Sequence, residues 1–63
     1  MWKALSDNYY SYMYNNECLA NLKRAKNCWV AEIKVGDRWE LHDIKEMGLG
    51  SAKKVCLSIM ERN

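Results

Sequence analysis

Residues 28–44 read CWVAEIKVGDRWELHDI, and this stretch decides the fold. Apolar and polar residues alternate on both sides of Gly36 and Asp37. A period of two is typical of a β-strand with one buried face. The stretch therefore predicts a β-hairpin whose turn contains these two residues.

The same alternation bears on the register of this hairpin. If Trp39 and Leu41 face the same core as Ala31 and Ile33, paired residues must have numbers with an even sum. A two-residue loop gives odd sums, because it pairs the residues directly before and after the turn. We therefore expect a three-residue loop or a bulge, which pairs Ile33 with Trp39 and Ala31 with Leu41. In that register, His42 points away from the core.

An earlier stretch predicts a second hairpin. Residues 1–5 are followed by the turn-forming run Ser6-Asp7-Asn8 and then by YYSYMY at 9–14, which is rich in β-formers. A three-residue loop pairs Ala4 with Tyr10 and Trp2 with Tyr12. Either face of this hairpin can be the buried one. So small a domain cannot bury all its tyrosines, so one or two should face solvent.

Two segments carry helical signals. In residues 15–27, Asn15 or Asn16 can cap a helix, and the apolar residues on one face are Cys18, Leu19, Leu22 and Ala25. In the last segment Ser51 can cap, and apolar residues recur at helical spacing at Ala52, Val55, Cys56, Ile59 and Met60. The second pattern is the clearer of the two.

The predicted order of elements is ββαββα. We expect a single α+β domain over residues 1–63, built from one ββα unit at 1–27 and another at 28–63. A four-stranded antiparallel sheet with both helices packed on one face is the economical assembly, because neither unit can cover its own apolar face. The alternative is a β-rich dimer that shares edge strands.

Composition excludes several classes of function. The chain has no apolar run near the roughly 20 residues of a membrane span, and its beginning lacks a signal-peptide core, so we expect a cytoplasmic protein without membrane contact. The three cysteines and His42 fit no zinc-finger spacing, and no nucleophile motif accompanies them. We therefore expect no metal, no cofactor and no catalytic residues.

The basic residues suggest one alternative function. Lys53 and Lys54 lie in the first turn of the last predicted helix, where the helix dipole disfavours cations unless an anion approaches. Strand–turn–strand followed by GSAKKVCLSIM, over about residues 28–60, resembles the C-terminal half of a double-stranded RNA-binding domain. The resemblance implies phosphate contacts by Lys53 and Lys54. Residues 1–27 depart from that family, which has a helix and then a strand there.

The favoured function is a small non-enzymatic protein-binding module. Its expected partner-binding residues are aromatic or basic, as at many interfaces: Tyr9, Tyr10, Tyr12, Tyr14, Lys53 and Lys54. In size it looks like accessory proteins of bacteriophages and mobile elements, which suggests that it inhibits a host nuclease, toxin or polymerase by occupying its surface in the host cytoplasm. The chain would be a monomer or a homodimer. The alternative is nucleic-acid binding through a basic set: Lys23, Arg24, Lys26, Lys53 and Lys54.

Overall fold

The computed structural model describes residues 1–45 and 48–62. These residues form five strands, β1 (Trp2–Ser6), β2 (Tyr9–Tyr14), β3 (Glu17–Arg24), β4 (Trp29–Val35) and β5 (Arg38–Ile44), and one helix, α1 (Leu49–Arg62). The strands make one antiparallel sheet in the order β1-β2-β3-β4-β5. The α+β class is confirmed, but the prediction of four strands and two helices is wrong.

The first predicted helix is strand β3. Ala20 and Leu22 are fully buried with Asn21 between them, so burial follows a period of two. Asn15 and Asn16, expected as helix caps, have φ of 51° and 62° and form the turn between β2 and β3. Positive φ at both central residues defines a type I′ hairpin turn, and Asn tolerates it. Residues 1–27 therefore hold three strands instead of a ββα unit.

The predicted register of the β4–β5 hairpin is also wrong. Gly36 and Asp37 form a two-residue loop, Val35 pairs with Arg38, and Ile33 faces Glu40. Gly36 has a φ of 66°, which glycine adopts without the steric cost that a Cβ imposes. Two-residue loops of this kind match the natural twist of paired strands. Here the turn geometry outweighs the alternation of apolar residues.

The register decides which side chains of β5 are buried. Trp39 and Leu41 lie on the face of the sheet away from α1, whereas Ile44 is buried on the face that α1 covers. His42 shares the helix side with Ile44, contrary to the prediction, because residues two apart in a strand share a face. Ile44 is the one residue of β5 that the core needs, because β5 is an edge strand.

The predicted pairing of β1 with β2 is largely confirmed. Trp2 faces Tyr12 and Ala4 faces Tyr10. The register shifts at Leu5, so that Ser6, not Leu5, faces Tyr9. A β-bulge of this kind lets a two-residue loop replace the expected three-residue loop.

The core lies between α1 and strands β3, β4 and β5. Its buried apolar residues are Ala20, Leu22, Trp29, Ala31, Ile33, Ile44, Ala52 and Cys56. Alanines on both the sheet and the helix leave room for the helix backbone to approach the sheet closely. The predicted apolar face of the last helix is confirmed, with Val55, Ile59 and Met60 partly buried against this core. We call the opposite face of the sheet, which α1 leaves uncovered, the open face.

Candidate protein-binding surface

Two exposed apolar side chains lie next to each other on one face of β5. Leu41 is 71% exposed and Trp39 is 45% exposed, and both project from the open face. We call this pair the β5 strip. Large apolar side chains that are exposed together are typical of interaction sites, and Trp is enriched among the residues that dominate binding energy.

Ion pairs border the β5 strip on the open face. Lys23 Nζ lies 2.9 Å from Glu32 Oε1, and Lys34 Nζ lies 2.7 Å from Glu17 Oε1. The hydrogen bond to Glu32 and the negative charge of Glu32 raise the pKa of Lys23. Glu32 faces Leu41 across the ladder, and Lys34 faces Trp39. The two lysines that border the strip on β3 and β4 are therefore already paired with glutamates.

The centre of the open face holds a small polar cluster. Ser11, only 6% exposed, donates a hydrogen bond of 2.6 Å from Oγ to Asn21 Oδ1. The thiol of Cys18 lies 3.4 Å from the same oxygen. Asn21 thus accepts from two neighbouring donors. The buried hydroxyl of Ser11 is therefore satisfied within the sheet.

The tyrosines of β2 divide between two environments. Tyr10 and Tyr12 face the helix side and pack against the core. The ring of Tyr12 meets that of Trp2 edge to face at 5.2 Å, and the ring of Tyr10 lies 6.0 Å from that of Trp29. Such pairs contribute about 0.5–1.5 kcal/mol beyond their buried area. The main role of these two tyrosines is therefore in packing.

The other two tyrosines are the half-buried Tyr9, on the open face, and the exposed Tyr14. Tyr9 lies under the ammonium of Lys23, with Nζ 5.3 Å from the ring centroid. Tyr14 is 62% exposed, as expected for at least one tyrosine, and borders an open groove of about 560 Å³ at the end of the β1–β2 hairpin. The groove is lined by Met1, Trp2, Lys3, Met13, Tyr14, Asn15 and Asn16. It is a second apolar feature, remote from the β5 strip.

Lys53 has a partner within the chain. Its Nζ lies 5.0 Å from the ring centroid of Tyr10 and 5.8 Å from that of Trp2. A cation at this distance from an aromatic face is attracted by the ring quadrupole. This contact joins α1 to the β1–β2 hairpin. Lys54 is exposed to solvent.

The basic residues of the predicted nucleic-acid site do not form one patch. Lys23 projects from the open face, where it is paired with Glu32. Lys53 projects over the rings on the helix side. Arg24 and Lys26 are exposed at the end of β3 and in the loop that follows. The sheet therefore separates Lys23 from Lys53.

His42 lies beside an acidic residue on the helix side. Its Nε2 is 3.4 Å from Glu40 Oε1, without the geometry of a hydrogen bond, and this buried nitrogen has no hydrogen-bond partner among the described residues. Over residues 1–45 and 48–62, no group of three or more His, Cys, Asp or Glu side chains is placed to hold a metal ion. In the same part of the chain, no helix is both long and apolar enough to cross a membrane.

The three thiols differ in their surroundings. Cys56 is buried, and burial raises its pKa from 9.0 to about 11, whereas Cys18 and Cys28 are half-buried. Because the thiolate is the nucleophile, we expect an alkylating reagent at neutral pH to modify Cys18 and Cys28 before Cys56. Mass spectrometry of the folded and the denatured protein measures this order.

The same pKa shift makes a prediction about alkaline pH. The folded pKa of Cys56 lies above the unfolded value, so its contribution to stability is complete below pH 9 and is lost as the pH rises through about 11.

For the alkylation experiment, modification of Cys56 as fast as that of Cys18 in the folded protein would contradict the burial of Cys56.

The chain matches no protein-family model, and searches of curated proteins and solved structures return no similar protein. Its function is therefore argued from its own residues. Sequence reasoning missed Trp39 and Leu41, which the alternation of β4 and β5 assigned to the core. The available signal was the Gly36-Asp37 dipeptide, because a two-residue turn there sends both side chains to the open face.

Proposed function

We propose that this chain is a non-enzymatic protein-binding module that acts by occupying the surface of a partner protein. The observation that carries the proposal is the β5 strip, with Trp39 and Leu41 exposed on the open face. If the chain belongs to a bacteriophage or a mobile element, as its size suggests, the partner is a host protein that the module inhibits. Trp39 serves as the anchor and Leu41 widens its apolar contact.

The surroundings of the strip favour a protein partner over a membrane or a free ligand. The strip lies on a sheet face with no enclosing walls, which suits a partner of complementary shape. Its neighbouring lysines are paired with Glu32 and Glu17, so a partner that covers them leaves neither ammonium group without a counter-charge. Exposed, paired charges around an apolar centre are the usual anatomy of a protein interface.

The same contacts count against nucleic acid as the main ligand. Affinity for a phosphate backbone needs several unpaired cations on one surface. Lys23 is paired with Glu32, and Lys53 is directed at the rings of Tyr10 and Trp2. The expected phosphate contacts of Lys53 and Lys54 would first require Lys53 to leave those rings.

The proposal is tested by affinity capture with the tagged chain from a lysate of the cells in which it acts, with and without nuclease. We expect one protein to be retained in stoichiometric amount after nuclease treatment. Trp39→Ala should weaken its binding by at least about tenfold, because anchor residues contribute about 2 kcal/mol or more. Trp39 is partly exposed, so this change should leave the fold intact.

Two comparison variants locate the interface. Tyr14→Ala removes an exposed aromatic residue from the groove near the opposite edge of the sheet, and we expect it to leave binding unchanged. Loss of binding with Tyr14→Ala but not with Trp39→Ala would place the interface at the groove instead. Recovery of nucleic acid alone, reduced by Lys53→Ala with Lys54→Ala and steeply dependent on salt, would contradict the proposal.

A further inference from the structure

The two edges of the sheet differ in how well they are protected. β1 is five residues long and its register shifts at Leu5, which distorts the edge. β5 is seven residues long and pairs with β4 in one continuous register from Arg38 to Ile44. In the described part of the chain its other side pairs with no strand. A long, regular edge with exposed apolar side chains is a template for a further strand.

The turn fixes which backbone groups of β5 point outward. Val35 and Arg38 flank the two-residue loop and form the first hydrogen-bonded pair of the hairpin. Hydrogen-bonded and non-hydrogen-bonded pairs then alternate along an antiparallel ladder. The N–H and C=O groups of Trp39, Leu41 and Asp43 are therefore directed away from β4.

We infer that β5 pairs antiparallel with β5 of a second copy of this chain, in a register centred on Leu41. Leu41 then faces Leu41 of the second copy, and Trp39 faces its Asp43. All three outward-directed residues of each strand fall in hydrogen-bonded pairs. The two sheets join into one of ten strands, with both helices on the same side.

The polar side chains along β5 select this register over its neighbours. Centring on Leu41 places Glu40 opposite His42 of the second copy twice, once on each side of the axis. Centring on Glu40 would instead place two carboxylates face to face, and like charges across a ladder destabilise it. An imidazole opposite a carboxylate offers it a hydrogen-bond donor. Glu40 and His42 also lie in non-hydrogen-bonded positions, where side chains come closest.

The apolar surface gives the second reason for a second copy. Leu41 is the most exposed apolar side chain of β5, at 71%. In the proposed pair it packs against its own counterpart on the open face. Trp39 lies two residues from the two-fold axis, beside the pair of Leu41 side chains. Formation of the dimer therefore does not depend on another protein binding to the β5 strip.

The test is sedimentation equilibrium of the untagged chain from about 10 µM to about 1 mM. We expect the mass to rise toward twice the 7.4 kDa of one chain. Leu41→Lys places two lysines at the centre of the pair and should raise the dimer Kd at least about tenfold. Circular dichroism should show that this variant is folded, because its side chain is mostly solvent-exposed. Trp39→Ala should leave the dimer in place, which separates this test from that of the proposed function.

Two further variants make the outcome specific to the edge and the register. Leu5→Lys adds the same charge at an exposed position of β1 and should leave the dimer unchanged. Leu41→Cys should form an intermolecular disulfide, since hydrogen-bonded partners lie about 5.5 Å apart at Cα, while Trp39→Cys should not. A single-chain mass over the whole concentration range would overturn the inference. Crosslinking of Trp39→Cys as readily as Leu41→Cys would overturn the register.

Discussion

Replacing Leu22 by alanine is expected to lower the free energy of unfolding by about 2–5 kcal/mol. Leu22 is fully buried on β3, between Tyr10 of β2 and Ala31 of β4. Deleting its side chain removes apolar contacts and leaves a cavity that the surrounding strands fill only in part. A domain of this size has a small core, so much of its stability depends on this one side chain. Urea unfolding followed by tryptophan fluorescence measures the change.

The matched control is Leu5→Ala. Leu5 lies on the edge strand β1 and is 53% exposed, so the same substitution should change stability by less than about 0.5 kcal/mol. If residues 17–24 formed the amphipathic helix that their sequence suggests, Leu22 would still lie on the apolar face, but its neighbours would differ. The strand is therefore tested by a double-mutant cycle of Leu22→Ala with Ala31→Gly. Strict additivity would contradict the contact between β3 and β4.

Replacing Ala52 by leucine is expected to destabilise the fold by about 1–3 kcal/mol. Ala52 is fully buried in the cluster that also contains Ala20 and Ala31 of the sheet. A larger side chain there must push α1 away from the sheet, because Ala52 has no exposed surface into which the added atoms could extend. For a domain of 60–100 residues, such a loss lowers Tm by about 4–8 °C per kcal/mol. Thermal unfolding followed by circular dichroism measures it.

Ala4→Leu is the control for this substitution. Ala4 faces the helix side from β1 but is exposed, because α1 covers β3, β4 and β5. The added side chain has room there, and Tm should stay nearly unchanged. A fall in Tm with Ala4→Leu equal to that with Ala52→Leu would mean that the helix extends over β1.

The β5 strip gives the two proposals a common structural origin. The two-residue turn at Gly36 and Asp37 turns Trp39 and Leu41 outward, and the order of the strands leaves β5 at an edge. The first consequence is an apolar site for a partner protein, anchored by Trp39. The second is a free ladder edge, which pairs with a second copy around Leu41. Trp39→Ala separates the two, because it should weaken partner binding and leave the dimer in place.

Parts of this fold are determined by local sequence alone. The helical spacing from Ala52 to Met60 specifies α1, because no strand could place those residues on one face. The pairing of Trp2 with Tyr12 follows from the turn-forming run between two β-rich segments. The hairpin of β4 and β5 follows from its alternation and from Gly36. In each case, neighbours in sequence are sufficient to select the conformation.

Two features were decided only by the tertiary structure. Residues 17–24 satisfy both a helical and a strand pattern, and they became β3 because Ala20 and Leu22 complete a sheet between β2 and β4. The two-residue turn places Trp39 and Leu41 on the face opposite Ala31 and Ile33, but only the packing of α1 decided which of the two faces is covered. With β3 in the sheet, α1 spans β3 to β5 and its core needs only Ile44 from the edge strand. Long-range packing thus resolved what short apolar patterns left ambiguous, and it exposed the surface on which the proposed function depends.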